Sequence, residues 1–240
     1  MVILTMPMFN EADGIVEFLT ELDRELPRSV RMQLVDDAST DLTAAHVRSL
    51  GLTSDRLVLC VNDSNMGHGP TTLRGLRLAL ESSPSLVIAV DGDGQFEAAQ
   101  IARLIDEAAG EVDVIEGVRV GRDDPWFRRL TSRVTGLLVA LRCRRMPRDA
   151  NTPLRVYRPA ALEELIAGIP DDFSVPNLVI SARARCRGLR VQEIAVRSRV
   201  RRGTNETGSS WGNRRRSIPS ARFAKFCSRA IRQWLSVSTR

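Results

Sequence analysis

"SLVIAVDGDGQF", residues 85–96, is the stretch on which the fold turns. Five apolar or small residues rich in branched side chains run into two carboxylates, Asp91 and Asp93, separated by one glycine. A strand that ends in Asp-Gly steps can simply be turning. Paired carboxylates at a strand end can also hold something positive, such as a divalent cation. The rest of the chain decides between the two.

Outward from this stretch the pattern alternates. Upstream, strands are expected over 1–5, 32–37 and 56–62, with helices over 12–26, 39–52 and 71–81. The helix over 12–26 rests on the spacing of Ile15, Phe18, Leu19, Leu22 and Leu26. The segment 39–52 opens with a helix-capping pattern, and 6–11 is expected as a loop. Downstream come a helix over 98–109 and a strand over 112–119. Alternation of this kind implies an α/β fold with a mostly parallel sheet and helices on both faces. Beyond Arg119 the rhythm changes. Residues 121–147 read as an amphipathic helix with a basic face, 148–159 as a loop leading into a short strand, 160–169 and 177–188 as helices, and 189–197 as a late strand. From Ser198 the chain turns polar and basic. A terminal amphipathic helix over 221–235 places Phe223, Phe226, Ala230, Ile231 and Trp234 on one face. The expected division is a domain over 1–204 and a basic, partly flexible tail over 205–240.

The 240 residues suit one sizeable core. Net charge is +6, and Lys225 is the only lysine among 35 basic residues. An arginine-rich, basic chain suits anionic partners: nucleic acid, anionic lipid or phosphorylated small molecules. The four cysteines, Cys60, Cys143, Cys186 and Cys227, are far apart in sequence and only two histidines occur. A zinc site and a disulfide framework are therefore not expected, and a reducing compartment fits. No signal peptide is read at the start, and the longest apolar run, 135–141, is too short to span a bilayer.

Four polar loops, "PMFNE", "DDAST", "NMGHG" and "DGDGQ", each follow an expected strand. In an open parallel sheet, ligands bind at the carboxyl ends of the strands. Convergence of four such loops on one edge favours a site over a turn.

On these residues the chain resembles the family 2 glycosyltransferases of the GT-A fold, and within them the dolichyl- or polyprenyl-phosphate sugar transferases. The matching positions are Pro7, Phe9, Asn10 and Glu11; Asp36, Asp37, Ser39 and Asp41; Asn65, Gly67, His68 and Gly69; Asp91, Asp93 and Gln95; and Gly117 with Arg119. Asp149, Arg155 and Tyr157 resemble a later segment of the family. The sequence departs from the family at "DANTPLR" and at Asn177, where many members are acidic. The late Arg-x-x-Gly-x-Ser loop aligns with either Arg201 or Arg202.

The resemblance implies a metal-dependent, inverting transfer of a hexose from a UDP- or GDP-sugar to polyprenyl phosphate. Mg²⁺ or Mn²⁺ would be held by Asp93 and Gln95, with Asp91 nearer the ribose or the metal. Pro7 and Phe9 would line the base and ribose. Glu11, Asp37 and Asp36 would accept hydrogen bonds there, or cap the helices that follow; Ser39 reads as a cap. His68 would contact phosphate or pack in its loop, and Arg202 belongs to the nucleotide-sugar set. Arg119, Arg128 and Ser132 match acceptor-phosphate positions, and with Asp93 form the catalytic set. The basic amphipathic stretch would lie on a membrane or pack on the sheet. The expected place is cytoplasmic, peripheral at the membrane face. A soluble hydroxyl acceptor is the alternative. A nucleic-acid partner, suggested only by "GNRRRS", leaves the strand-end loops unexplained.

Overall fold

A computed structural model describes residues 1–120, 126–202 and 221–239, with side chains of the two long late helices described from residues 133 and 225 onward. The elements run β1 (Val2–Met8), α1 (Ile15–Glu25), β2 (Val30–Asp36), α2 (Thr43–Ser49), β3 (Leu57–Val61), α3 (His68–Glu81), β4 (Leu86–Ala89) and α4 (Ala98–Glu107). There follow β5 (Val114–Val120), α5 (Trp126–Cys143), β6 (Arg155–Tyr157), α6 (Pro159–Ile166), α7 (Pro176–Cys186), β7 (Val191–Arg197) and α8 (Ala221–Ser236). The seven strands form one sheet in the order β3-β2-β1-β4-β6-β5-β7. Six run parallel; β6 alone is antiparallel, wedged between β4 and β5 with Arg155 facing Ala89 on one side and Glu116 on the other.

The two-residue period of the strands feeds both faces. Along β1, Val2, Leu4, Met6 and Met8 enter the layer with α1, α2 and α4, whereas Ile3 enters the layer with α3, α6 and α7. On α1, Ile15, Phe18, Leu19 and Leu22 are all buried, so the helical spacing read from sequence is the face that packs. Helix α7 is buried over Pro176–Arg185, because neighbours cover it on all sides. Its two arginines are accommodated by acceptors. Arg183 donates to the Leu165 and Ala167 carbonyls at 2.7 Å each, and Arg185 reaches Glu116 at 2.7 Å and Glu193 at 2.8 Å.

Several sequence expectations shift. β1 extends to Met8, where a loop was expected from residue 6. Pro7 lacks a donor, but its carbonyl still accepts from Gly92 N at 3.3 Å, so the ladder continues. α2 starts at Thr43 rather than 39, and Ser39 is no cap, because its hydroxyl is drawn to Asp36. Cys143 and Cys186 are paired as a disulfide joining α5 to α7, against the expectation of four unpaired cysteines. They lie 43 apart in the chain, yet helix packing brings their Cα atoms to 4.7 Å, a proximity invisible in spacing.

The terminal helix docks on the core through its last turns. Trp234 is 3 % exposed, and Arg142 of α5 lies 4.3 Å over its ring while donating to the Trp234 and Val237 carbonyls at 2.8 and 2.9 Å. Gln233 grips the 172–174 strap, accepting from Ser174 N at 2.9 Å and donating to the Asp172 carbonyl at 3.1 Å. Phe226 and Ile231, expected on the same face as Trp234, are exposed. Ala230 is half-buried, and Phe223 and most of the tail lie outside the described side chains. Among the described residues, no helix is long and apolar enough to cross a membrane.

Candidate active site

The ends of β1, β2 and β4 sit side by side, so their loops share one edge. The first two loops are stitched together. Asn10 N donates to Ser39 Oγ at 2.9 Å, Thr40 N to Asn10 Oδ1 at 2.8 Å, Glu11 N to Thr43 Oγ1 at 2.8 Å, and Ala12 N to Asp41 Oδ2 at 3.2 Å. Asn10 and Ala38 take positive φ values of 53° and 56° to make these turns. Ser39, Asp41 and Thr43 are therefore cross-loop braces, a role that strand-by-strand reading does not expose.

Asp36 and Asp37 are both buried. Asp36 accepts from the Ser39 hydroxyl and from Ser39 N at 3.2 Å; burial holds its pKa above the usual carboxylate range. Asp37 Oδ1 accepts from Asn62 Nδ2 at 2.7 Å and Met66 N at 2.8 Å, and its Oδ2 from Gly67 N at 2.8 Å. In this state Asp37 organises the "NMGHG" loop. That loop delivers His68 to the start of α3, with Nε2 3.5 Å from Asp91 Oδ1. Gly69 must be glycine, since a Cβ there would meet the Ser174 carbonyl oxygen at 2.3 Å. The strap held by Gln233 thus presses directly on the residue next to His68.

Glu11, Asp91 and Asp93 form the negative centre of the edge. Glu11 is 7 % exposed, and burial pushes its pKa up to about 7, opposed by the Arg201 guanidinium. Asp93 is pushed up to about 6, first by burial and then by the charge of Asp91, again with Arg201 opposing. Pro7 lies within β1 and Phe9 is half-buried just beyond it. Gln95 is half-buried; its backbone N donates to Asp93 Oδ1 at 3.1 Å, bending the loop around the carboxylate. Two carboxylates and an amide oxygen are hard oxygen donors that fit Mg²⁺ or Mn²⁺. Among the described residues, no group of three or more His, Cys, Asp or Glu side chains assembles to cage a cation.

The segment after β7 folds back over this loop. Arg199 N donates to the Gln95 carbonyl at 2.9 Å and Arg202 N to the Asp93 carbonyl at 3.0 Å. Arg202 turns outward to Glu17, at 3.1 Å, and to Glu21, and its side-chain stem fills the space where a Cβ on Gly94 would meet it at 2.9 Å. Arg201 turns inward and ion-pairs with Glu11. Of the two arginines that the sequence left open, Arg201 is the one facing the carboxylates.

On the other side of β6, Arg119 at the end of β5 is bound by Asp149, and Thr152 Oγ1 donates to the Gly117 carbonyl at 2.5 Å. Beneath them Arg155 and Arg185 both bond the fully buried Glu116, whose pKa they hold down against burial. Arg128 and Ser132 lie in the first turns of α5, and their side chains are outside the described residues.

Known proteins resemble this chain in sequence and in fold. The chain is 30% identical over 171 residues to an undecaprenyl-phosphate 4-deoxy-4-formamido-L-arabinose transferase of Pseudomonas aeruginosa, covering 70% of this chain and 50% of that protein. The corresponding enzyme of Edwardsiella ictaluri is 28% identical, covering 68% of this chain and again 50% of the relative. The chain thus spans about half the length of these relatives. Among solved structures, glucosyl-3-phosphoglycerate synthase from Mycobacterium tuberculosis, with Mn²⁺, UDP and glucosyl-3-phosphoglycerate, superposes with a TM-score of 0.68 at 16% identity, covering 98% of this chain and 78% of that one. A mannosyltransferase from Pyrobaculum calidifontis with GDP-Man and Mn²⁺ gives 0.57 at 22% identity, covering 82% and 56%. Both bear out the GT-A fold. The family model described as glycosyl transferase family 2 matches residues 4–174, and the chain belongs to that family.

Proposed function

We propose that this protein is a glycosyltransferase that moves a hexose from a nucleotide-sugar donor to polyprenyl phosphate, with inversion, using Mg²⁺ or Mn²⁺. The observation that carries the donor half is the convergence of Glu11, Asp91 and Asp93 on the ends of adjacent strands β1 and β4. Asp93 and Gln95, with Asp91, would hold the cation; when bound, it neutralises charge growing on the departing diphosphate. Pro7 and Phe9 border the nucleoside, and Glu11 and His68 stand where its ribose and phosphates would lie. Asp36 and Asp37 support these loops from beneath. Arg201 is preferred to Arg202 as the late contact to the donor.

The acceptor half rests on Arg119, with Arg128 and Ser132 placed beside it by the resemblance. A lipid phosphate is already ionised, so it needs arginines rather than a general base. The carboxylate that faces Arg119, Asp149, is engaged by that arginine and is poorly placed to deprotonate a hydroxyl. The similarity to undecaprenyl-phosphate 4-deoxy-4-formamido-L-arabinose transferases points the same way. On α5, Val134, Leu137 and Leu141 are exposed, and Arg144 and Arg145 follow the helix end. An apolar ridge with arginines at its margin suits peripheral association with the cytoplasmic membrane face.

The test is a thermal-shift panel of UDP- and GDP-sugars with and without Mn²⁺, followed by transfer of the stabilising labelled sugar to a short polyprenyl phosphate. Label in the organic phase supports the proposal. Label passing only to water-soluble acceptors overturns the lipid acceptor while keeping the donor half.

A further inference from the structure

Three arginines follow β7 within four residues, and only one points at the carboxylates. Arg199 donates to the Gly94 carbonyl at 2.6 Å and to Glu21 at 2.7 Å, and Arg202 is spent on Glu17 and Glu21. Arg201 bonds Glu11 through Nη2, is 19% exposed, and keeps a buried Nε with no hydrogen-bond partner. Its backbone neighbours are tied to the carbonyls of Asp93 and Gln95, so the guanidinium is anchored to the metal loop itself.

This arrangement bears on how a cation could enter. Three carboxylates on one partly buried edge need a counter-charge, because unpaired buried charge is costly. Arg201 supplies one. A free divalent ion would meet its repulsion and, among the described residues, fewer than three strong protein ligands. A nucleoside diphosphate changes both conditions. Its oxygens complete the coordination, and they offer Arg201 an anionic partner for the Nε–Nη fork, which suits phosphate.

We infer that Arg201 is a resident counter-charge that makes metal binding conditional on the donor's diphosphate. In the empty site it neutralises Glu11 and its neighbours and discourages lone cations. When metal and diphosphate arrive together, it exchanges Glu11 for phosphate. The inference rests on the donor half of the proposed function and is independent of the acceptor.

The experiment measures Mn²⁺ binding to the full chain by the loss of the free-ion paramagnetic resonance signal, at fixed pH and salt. It is run without nucleotide, and with saturating UDP or GDP. For wild type, Mn²⁺ should bind at least tenfold more tightly with nucleotide. Arg201→Gln should bind Mn²⁺ alone at least fivefold more tightly than wild type, while its gain from nucleotide shrinks. Arg201→Lys keeps the charge but not the fork; it should stay within twofold of wild type for Mn²⁺ alone and lose part of the nucleotide gain. Melting curves confirm that each variant is folded, and the lysine variant carries the test if the glutamine variant is not. Unchanged or weaker Mn²⁺-alone binding in Arg201→Gln, or tighter binding in Arg201→Lys, overturns the inference. If wild type binds no Mn²⁺ with either nucleotide, the donor reading fails and this inference with it.

Discussion

Arg119 and Asp149 are joined by a two-pronged ion pair, Nε to Oδ2 at 2.7 Å and Nη2 to Oδ1 at 3.0 Å, with side chains 12% and 9% exposed. The fork fixes the guanidinium at the end of β5, and Nη2 also reaches the Asn151 carbonyl at 3.5 Å.

Arg119→Ala is expected to act twice. It strands a buried carboxylate, at a stability cost of about 1–3 kcal/mol, and it removes the proposed acceptor contact. Transfer to polyprenyl phosphate should fall at least tenfold while nucleotide affinity, by calorimetry, stays within twofold. A matching loss of nucleotide affinity would show that the edge is not divided as proposed.

Asp93→Asn should reduce turnover at least a hundredfold at low metal. It should also raise the melting temperature of the metal-free protein near pH 7.5, because the carboxylate is held there as an unfavourable buried charge. The increment given by Mn²⁺ and nucleotide should vanish. A variant with near-normal turnover would remove Asp93 from the metal site.

The same groups set a pH dependence. Glu11 and Asp93 titrate near 7 and 6 in the folded chain, above their ordinary values of 4.5 and 3.8, so between those limits the folded state binds more protons than the unfolded one. Stability of the metal-free protein therefore falls as pH rises from about 5 to 8. Metal with nucleotide displaces those protons, so its stabilising increment grows over the same window. Urea titrations in chelator at four pH values would check both; a metal-free stability that climbs from 5 to 8 contradicts the assignment.

Glu116 anchors Arg155 and Arg185 with no exposed side-chain surface of its own. Glu116→Gln should cost about 3–5 kcal/mol, since two buried guanidinium groups lose their shared counter-charge. Urea denaturation measures it, and a loss under 1 kcal/mol would mean that water or another acceptor takes over.

At the terminal helix, Trp234→Ala should cost about 3–5 kcal/mol, as for other buried aromatic truncations. Ile231→Asp, on the 53% exposed outer face, should leave stability within about 0.5 kcal/mol. If that face rests on lipid, the aspartate variant pellets less with anionic vesicles at low salt. Equal pelleting would leave the helix a purely internal brace.

Much of this was legible in the chain. Alternating strand and helix patterns gave the sheet and its edge, because period and turn chemistry are local. The carboxylates of "DGDGQ" were legible because their type and spacing carry the chemistry. What escaped depends on distant approach. The Cys143–Cys186 pair needs the packing of α5 on α7. The bond between Gln233 and the strap beside Gly69 joins residues 59 apart in the chain. The choice between Arg201 and Arg202 follows from which side of one extended segment faces Glu11, and a one-residue shift reverses it.

The reversed strand β6 has a consequence for rebuilding the protein. β5 runs to the edge that carries the candidate site, and β6, running the other way, begins there, with Arg155 opposite Ala89 at the end of β4. Residues 126–154, α5 and the loop after it, lie between these two strands in the chain and rejoin the sheet at this edge. β5 and β6 are immediate neighbours in the sheet, and Gly117 N donates to the Leu154 carbonyl at 2.9 Å where the segment rejoins it. The segment is in effect a cassette, fastened at one end by the Arg119–Asp149 fork and along its helix by α7. On the proposed division of the site, exchanging it between family members is expected to change acceptor preference while the loops on β1, β2 and β4 keep the donor.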